Sequence, residues 1–122
     1  MKINNNESIK EFLINYKSLH DSNITNINYD ITNSKLEMSI DVFWSGEPVL
    51  KEDNTYETNK TKINLIFEGI EKLTIKEIES FDYIEGIKLE YIKLNNKDYI
   101  NFVDNYEIIN IICEELSYEE IK

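Results

Sequence analysis

The chain has 122 residues, which fits one domain over residues 1–122, and 41% of them are hydrophobic, which argues against disorder. Its 24 acidic and 13 basic residues give a formal net charge of −11, and every basic residue is a lysine. This negative field, without arginine to read phosphate, excludes nucleic acid from the expected partners, and anionic membrane surfaces would repel the chain.

One amphipathic helix is predicted near the N-terminus. Apolar residues recur at spacings of three and four from Ile9 to Leu19, which places them on one helix face. Ser8 followed by Glu11 matches a capping box, and Asn6 is a rival cap. The pattern ends at Leu19, where turn-forming residues follow, so we expect the helix to end there.

The only histidine, His20, follows this helix and precedes Asp21 and Ser22, so the three residue types of a hydrolase triad are adjacent. A triad needs the base between nucleophile and carboxylate in space, whereas adjacent side chains diverge from the backbone. No G-x-S-x-G motif accompanies them. We therefore predict a helix end and no catalytic residue. A small polar site that includes His20 and Asp21 is kept as a second interpretation.

From Ile24 onwards the apolar period changes to two, which predicts β-strands. The clearest strand covers residues 35–44, and further strand patterns cover residues 24–30, 62–70, 72–78, 82–94, 99–105 and 107–116. The predicted fold class is α+β: one N-terminal helix followed by about six or seven antiparallel strands in meander order. Such a sheet should curl or split into a sandwich.

The stretch 45–61 contains the only proline and no sustained apolar period, so it is predicted to be a long loop. Loops of this length often carry function. Acidic side chains beside an aromatic one suit contact with a basic protein. The candidate partner-binding residues in this stretch are Glu47, Glu52, Asp53, Tyr56 and Glu57.

No metal or cofactor is predicted. One histidine and one cysteine cannot make a structural zinc site, and residues 51–57 lack the glycine and spacing of a calcium loop. Cys113 lies in an apolar run, where a buried thiol is expected. The first residues lack the apolar stretch of a signal peptide, and no apolar segment approaches the ~20 residues of a membrane span, so we expect a cytoplasmic protein.

Three segments of the chain carry a resemblance to known proteins: LHDSNITNINYD with KLEMSIDVFW, then INLIFEGIEKLTIKEI, then YINFVDNYEIINIICEEL. Together they resemble small bacterial domains of unknown function, some of which look like the immunity proteins of toxin systems. The resemblance implies a β-rich fold with one helix and carries over no catalytic residues. Immunity proteins are often acidic because many nuclease toxins are basic, and the charge of this chain fits that pattern.

Three functions are compatible with these features. The first is a non-enzymatic acidic binding protein, an immunity protein that neutralises a basic toxin. The second is a small-ligand-binding or hydrolytic domain around His20 and Asp21, which requires a concave pocket lined by His20. The third is a structural or assembly component that pairs through exposed strand edges. The oligomeric state is left open.

Overall fold

The computed structural model describes residues 1–76 and 83–121, with only the backbone described at residues 44–49 and 56–59. These residues form one α-helix, one 3₁₀ turn and eight antiparallel strands that make a curled half-barrel sheet, which confirms the predicted α+β fold class. In chain order the elements are β1 (Lys2–Ile3), α1 (Asn6–Asn15), the 3₁₀ turn (Lys17–Leu19), β2 (Ser22–Asp30), β3 (Lys35–Leu50), β4 (Tyr56–Ile75), β5 (Tyr83–Ile84), β6 (Ile87–Leu94), β7 (Lys97–Asp104) and β8 (Ile109–Ile121).

Helix α1 begins with a capping box, but the predicted residues are wrong. Asn5 is the N-cap: its Oδ1 accepts from the Ser8 backbone N–H at 2.7 Å, while Ser8 Oγ accepts from the Asn5 N–H at 3.1 Å. Ser8 is thus the third helical residue rather than the cap, and Asn6 is the first. A run of three asparagines offers three equivalent caps, so the sequence pattern could not choose among them.

The α-helix ends before Leu19, the residue at which the apolar pattern predicts its end. The α-helix ends at Asn15, and Lys17, Ser18 and Leu19 then have φ values of 50°, 53° and 57°. Left-handed backbone costs a non-glycine residue roughly 1–2 kcal/mol, so packing must offset it. Leu19 provides that packing because its side chain is completely buried.

The sheet joins two meanders through one long-range pairing. Strands β2, β3 and β4 are neighbours in order, as are β6, β7 and β8. The predicted meander order therefore holds within each run, but β4 continues onto β8 rather than onto β5, and β5 pairs with β2 at the far edge. The short strand β1 pairs with β8, with Ile3 opposite Leu116.

The predicted loop at residues 45–61 is wrong, because most of it belongs to β3 and β4. Val42 lies opposite Thr61, Ser45 opposite Asn59 and Val49 opposite Glu57. The register shifts twice, so β3 carries more residues than β4 over the same length, and these irregularities hide the period of two. Among the described pairings, β3 beyond Val42 and β4 before Lys62 pair only with each other, as a two-stranded ribbon (residues 43–61).

The core lies between α1 and the concave face of the sheet. Phe12 of α1 and Tyr16, which follows the helix, pack on Tyr118 of β8, with ring centroids 5.0 and 5.6 Å from that of Tyr118. The alternation predicted for β3 is confirmed where side chains are described, since Leu36, Met38, Ile40 and Val42 are all fully buried. The predicted partner of this set, Trp44, has a side chain outside the described residues.

Cys113 is buried, as expected, and burial raises the pKa of its thiol to about 12. A thiol that stays protonated at neutral pH is a poor nucleophile, so this residue serves packing.

Replacing Asn5 with alanine should lower the free energy of unfolding by about 1 kcal/mol, because the Ser8 amide loses its acceptor. Urea denaturation measures this change. The matched control is Asn6→Ala, which removes the same side chain from a helical position and should change stability little. Equal losses in the two variants would contradict the assignment of Asn5 as the cap.

Candidate functional site

The residues predicted to bind a partner lie on the ribbon. Its tip is the turn 51–55, where Glu52 and Asp53 are exposed. The backbone of Tyr56 pairs with that of Leu50, and Glu57 with Val49. The side chains of Glu47, Tyr56 and Glu57 lie outside the described residues, so their part in a contact surface stays a prediction.

The tip of the ribbon is fixed by local hydrogen bonds. Asp53 Oδ1 accepts from the Thr55 backbone N–H at 3.0 Å and from Thr55 Oγ1 at 2.6 Å. These bonds from Thr55 lower the pKa of Asp53, because they favour the charged carboxylate. The carboxylate is therefore ionised and exposed, but one of its oxygens is already occupied by the turn itself.

His20 and Asp21 lie together at the other predicted site, where β2 begins. His20 Nδ1 lies 2.8 Å from the Glu85 carbonyl oxygen, and His20 Nε2 lies 3.2 Å from Asp21 Oδ2. Both partners are acceptors, so both ring nitrogens donate at once only in the protonated imidazolium. The Tyr83 hydroxyl donates to the other Asp21 oxygen. These contacts tie the start of β2 to the β5–β6 connection.

This arrangement does not resemble a catalytic or small-molecule site. The His20 side chain is 54% exposed and held by a backbone carbonyl, so the condition that His20 line a concave pocket is not met. Ser22 is completely buried, and neither ring nitrogen of His20 is directed at its hydroxyl. The residues of the supposed triad therefore lack the hydrogen bond between nucleophile and base that such chemistry needs.

We name this group of side chains the clasp: His20, Asp21, Tyr83, Glu85 and Tyr106. The bond to Asp21 raises the pKa of Tyr83 to about 12, and a bond to Glu85 raises the pKa of Tyr106. Next to them, the Asn105 N–H donates to the Gly86 carbonyl oxygen at 2.9 Å. The clasp connects the start of β2 with β5 and with the β5–β6 and β7–β8 connections.

Within the clasp, the Tyr83 phenol should titrate near pH 12, whereas a tyrosine in solvent titrates near 10. The folded-state pKa is raised, so stability from the Tyr83–Asp21 bond is complete below about pH 10 and is lost as pH rises through about 12. The difference in phenolate absorbance between the parent chain and Tyr83→Phe measures this titration.

Asp21→Asn should move the titration of Tyr83 towards the ordinary value, and Asp53→Asn should leave it unchanged. A difference curve centred near pH 10 in the parent chain would contradict the bond.

A groove of about 680 Å³ lies elsewhere, at a split in the sheet. Along one edge of β8, β7 pairs as far as Ile100 opposite Cys113, and β1 pairs at Ile3 opposite Leu116. Within the described chain no strand pairs with residues 114–115 on that edge. Ile3, Ile100 and Leu116 border the groove, but they are only 1–2% exposed, so they offer little apolar surface to it.

Carboxylates make up much of the lining of this groove. Glu68, Asp98, Glu114 and Glu115 all line the groove, and Lys2 is its one cationic lining residue in the described chain. Glu114 accepts a hydrogen bond from Lys97, and this bond raises the pKa of the lysine. Asp98 lies 3.8 Å from Lys93, but both side chains are more than 60% exposed, so that pair contributes little.

Glu68 and Glu115 differ from the other two carboxylates. They lie directly opposite each other in the β4–β8 register, so they share one face of the sheet with Cβ atoms roughly 4.5–5.5 Å apart. No ion pair in the described part of the chain involves either of them. These two like charges repel each other, while Lys35, which lies directly opposite Glu68 in the β3–β4 register, offsets part of that repulsion.

Two further residues shape the groove. Gly69 has φ +66°, and a Cβ on it would lie 2.7–2.9 Å from the side chain of Glu114, so only glycine allows Glu114 to lie over the strand. Tyr91 forms part of the wall, and burial together with Asp98 raises the pKa of its phenol. Tyr91 is therefore a neutral hydrogen-bonding group at neutral pH.

Sequence reasoning missed the groove. Its carboxylates come from β4, β7 and β8, and each lies in a sequence where an exposed glutamate or aspartate is ordinary. The signal that could have found it is the register of β4 against β8, which a single sequence does not reveal. In the described residues, no group of three or more His, Cys, Asp or Glu side chains has the geometry to hold a metal ion.

Comparison of the chain with protein-family models, with curated proteins and with solved structures finds no match. Among the described residues, no helix combines the length and apolar character needed to cross a membrane.

Replacing Glu115 with glutamine should raise the free energy of unfolding by roughly 0.2–1 kcal/mol, because repulsion from Glu68 is removed. The shift of the urea midpoint at low salt measures this gain. Glu119→Gln is the matched control, since Glu119 lies on the same strand opposite the neutral Asn64. A gain that is no larger than that of the control would contradict the repulsion.

Proposed function

We propose that this chain is a non-enzymatic binding protein that docks a basic protein partner, as an immunity protein docks a toxin. The observation that carries the proposal is the groove, which is lined by four carboxylates (Glu68, Asp98, Glu114 and Glu115) and, in the described chain, by one lysine. Such a lining gains electrostatic attraction when a partner brings positive charge to it.

The charge of the whole chain supports the same proposal. With a net charge of −11, its field accelerates the approach of a basic protein and repels acidic ones. The ribbon adds exposed carboxylates at its tip, Glu52 and Asp53, to this field. Steering by the field and anchoring in a groove are separate steps, and the first should depend strongly on salt.

The clasp favours this proposal over the small-ligand or hydrolytic alternative. Its polar groups are bonded to one another at a surface where His20 is more than half exposed. They hold strands together rather than converge on an empty space.

The test uses the product of the reading frame adjacent to this gene, purified separately and passed over the immobilised chain. If that product is a basic partner, its association rate constant should fall at least about ten-fold as NaCl rises from roughly 20 to roughly 500 mM. The dissociation rate should change much less, because steering acts on the encounter. Co-expression of the two chains should also relieve any growth arrest that the partner alone causes.

An association rate that ignores ionic strength would remove the electrostatic part of the proposal. Failure of the adjacent product to bind at every salt concentration, with growth arrest unrelieved by this chain, would remove the immunity role.

A further inference from the structure

We propose that the exposed side of the clasp binds an arginine side chain of the partner protein, an inference that rests on the proposed function. The guanidinium group would stack on the exposed rings of Tyr83 and Tyr106. Its N–H groups would donate to the carboxylates of Asp21 and Glu85, which lie beside those rings.

Three aromatic side chains of the clasp reach solvent together. Tyr106 is 59% exposed, Tyr83 is 38% exposed, and the His20 side chain is more than half exposed. The two tyrosines are neighbours, since the Tyr106 phenol is among the groups that raise the pKa of Tyr83. Single exposed aromatic residues are ordinary on a protein surface, whereas a group of them is typical of a contact surface.

Hydrogen bonds hold these two rings in place before any partner arrives. The Tyr83 hydroxyl donates to Asp21, and the bond between Tyr106 and Glu85 ties the second ring to the β5–β6 connection. Binding to side chains that are already ordered loses less conformational entropy than binding to mobile ones. Rigid tyrosines of this kind supply much of the binding free energy in protein interfaces.

Charge complementarity selects a cation for this surface. Among the described residues no lysine forms an ion pair with Asp21 or Glu85, and the one such contact of Asp21 is with His20. Each carboxylate oxygen has two lone pairs, so both carboxylates can accept further hydrogen bonds beside those from the tyrosines. The faces of the two phenol rings attract a cation as well.

Stacking favours a guanidinium group over an ammonium group. A guanidinium group is planar and weakly hydrated, so its face can lie on an aromatic ring while its N–H edge donates to a carboxylate. An ammonium group is a compact, strongly hydrated charge, and on an open surface it keeps most of its water. Tyr83 and Tyr106 offer the ring faces, and Asp21 and Glu85 offer the acceptors.

The composition of the chain identifies the occupant as a different protein rather than a second copy. All 13 basic residues are lysines, so a second copy has no guanidinium group, and its net charge of −11 repels an identical chain. Free arginine carries its own carboxylate close to the cation, and Asp21 and Glu85 repel that carboxylate. An arginine within a basic protein has neither disadvantage.

The test titrates the full chain with a capped tripeptide, acetyl-Gly-Arg-Gly-amide, while the backbone amide resonances are followed by NMR. We expect saturable shifts centred on Asp21, Glu85 and Tyr106. The same tripeptide with citrulline at its centre keeps the shape and loses the charge, and should bind at least about five-fold more weakly. The lysine tripeptide and free arginine should both bind more weakly than the arginine tripeptide.

Two single variants each remove one exposed tyrosine ring. Tyr106→Leu should weaken the arginine tripeptide at least about three-fold, because one stacking surface is lost. Tyr29→Leu is the matched control, since Tyr29 is 40% exposed on β2 outside the clasp, and it should leave the affinity unchanged. The urea midpoint of Tyr106→Leu should stay near that of the parent chain, which separates lost binding from lost folding.

Two double variants remove equal charge from different places. Asp21→Asn with Glu85→Gln should weaken the arginine tripeptide at least about five-fold. Glu90→Gln with Glu119→Gln changes two exposed glutamates outside the clasp, and should leave the affinity within about two-fold.

Equal binding of the citrulline peptide, equal losses in Tyr106→Leu and Tyr29→Leu, equal losses in the two double variants, or shifts spread over the whole surface would each overturn the arginine site. A lysine peptide that binds as tightly would overturn the choice of a guanidinium group. Free arginine that binds as tightly would overturn the protein partner in favour of the amino acid.

The proposed function and this inference can fail separately. Salt-dependent association of the adjacent gene product that ignores the clasp variants would overturn the inference and leave the proposed function standing. Binding of the arginine tripeptide at the clasp, without any binding of the adjacent gene product, would overturn the proposed function and leave the arginine site standing.

Discussion

The antiparallel pairing of β4 with β8 is the interaction on which the remaining structure depends. It extends from Lys62 opposite Ile121 to Ile75 opposite Ile109 and joins the two meanders into one sheet. Without it, each run would be a three-stranded sheet with one apolar face and little to cover that face. The same pairing places Leu65 opposite Tyr118, which packs on Phe12 of α1, and sets Glu68 opposite Glu115.

Local patterns in the sequence predict much of this fold. Leu36 to Val42 alternate with polar residues, and the structure buries all four apolar members on one face. The apolar stripe of α1 likewise marks the helix, although three consecutive asparagines conceal which one caps it. These features succeed because propensity and burial act over a few residues and leave a visible period.

Two other features leave no such period. The ribbon contains two register shifts, so its strands look like a loop when the sequence is read for alternation. The groove depends on Glu68 and Glu115 meeting across residues that are far apart in the chain, and nothing local links them. His20 and Asp21 could be seen as neighbours, but their partners Tyr83 and Glu85 become visible only in the folded sheet. The groove could therefore not be predicted from the sequence, whereas the neighbouring residues His20 and Asp21 could be singled out.

The pairing of strand β1 with β8 limits how early the groove can form during folding. Strand β1 forms one wall of the groove only by pairing with Leu116 and Ser117, which a ribosome adds more than a hundred residues later. Contacts of such long sequence separation tend to form late and slowly. The groove is therefore complete only when the last strand is in place, after all the other strands have been synthesised.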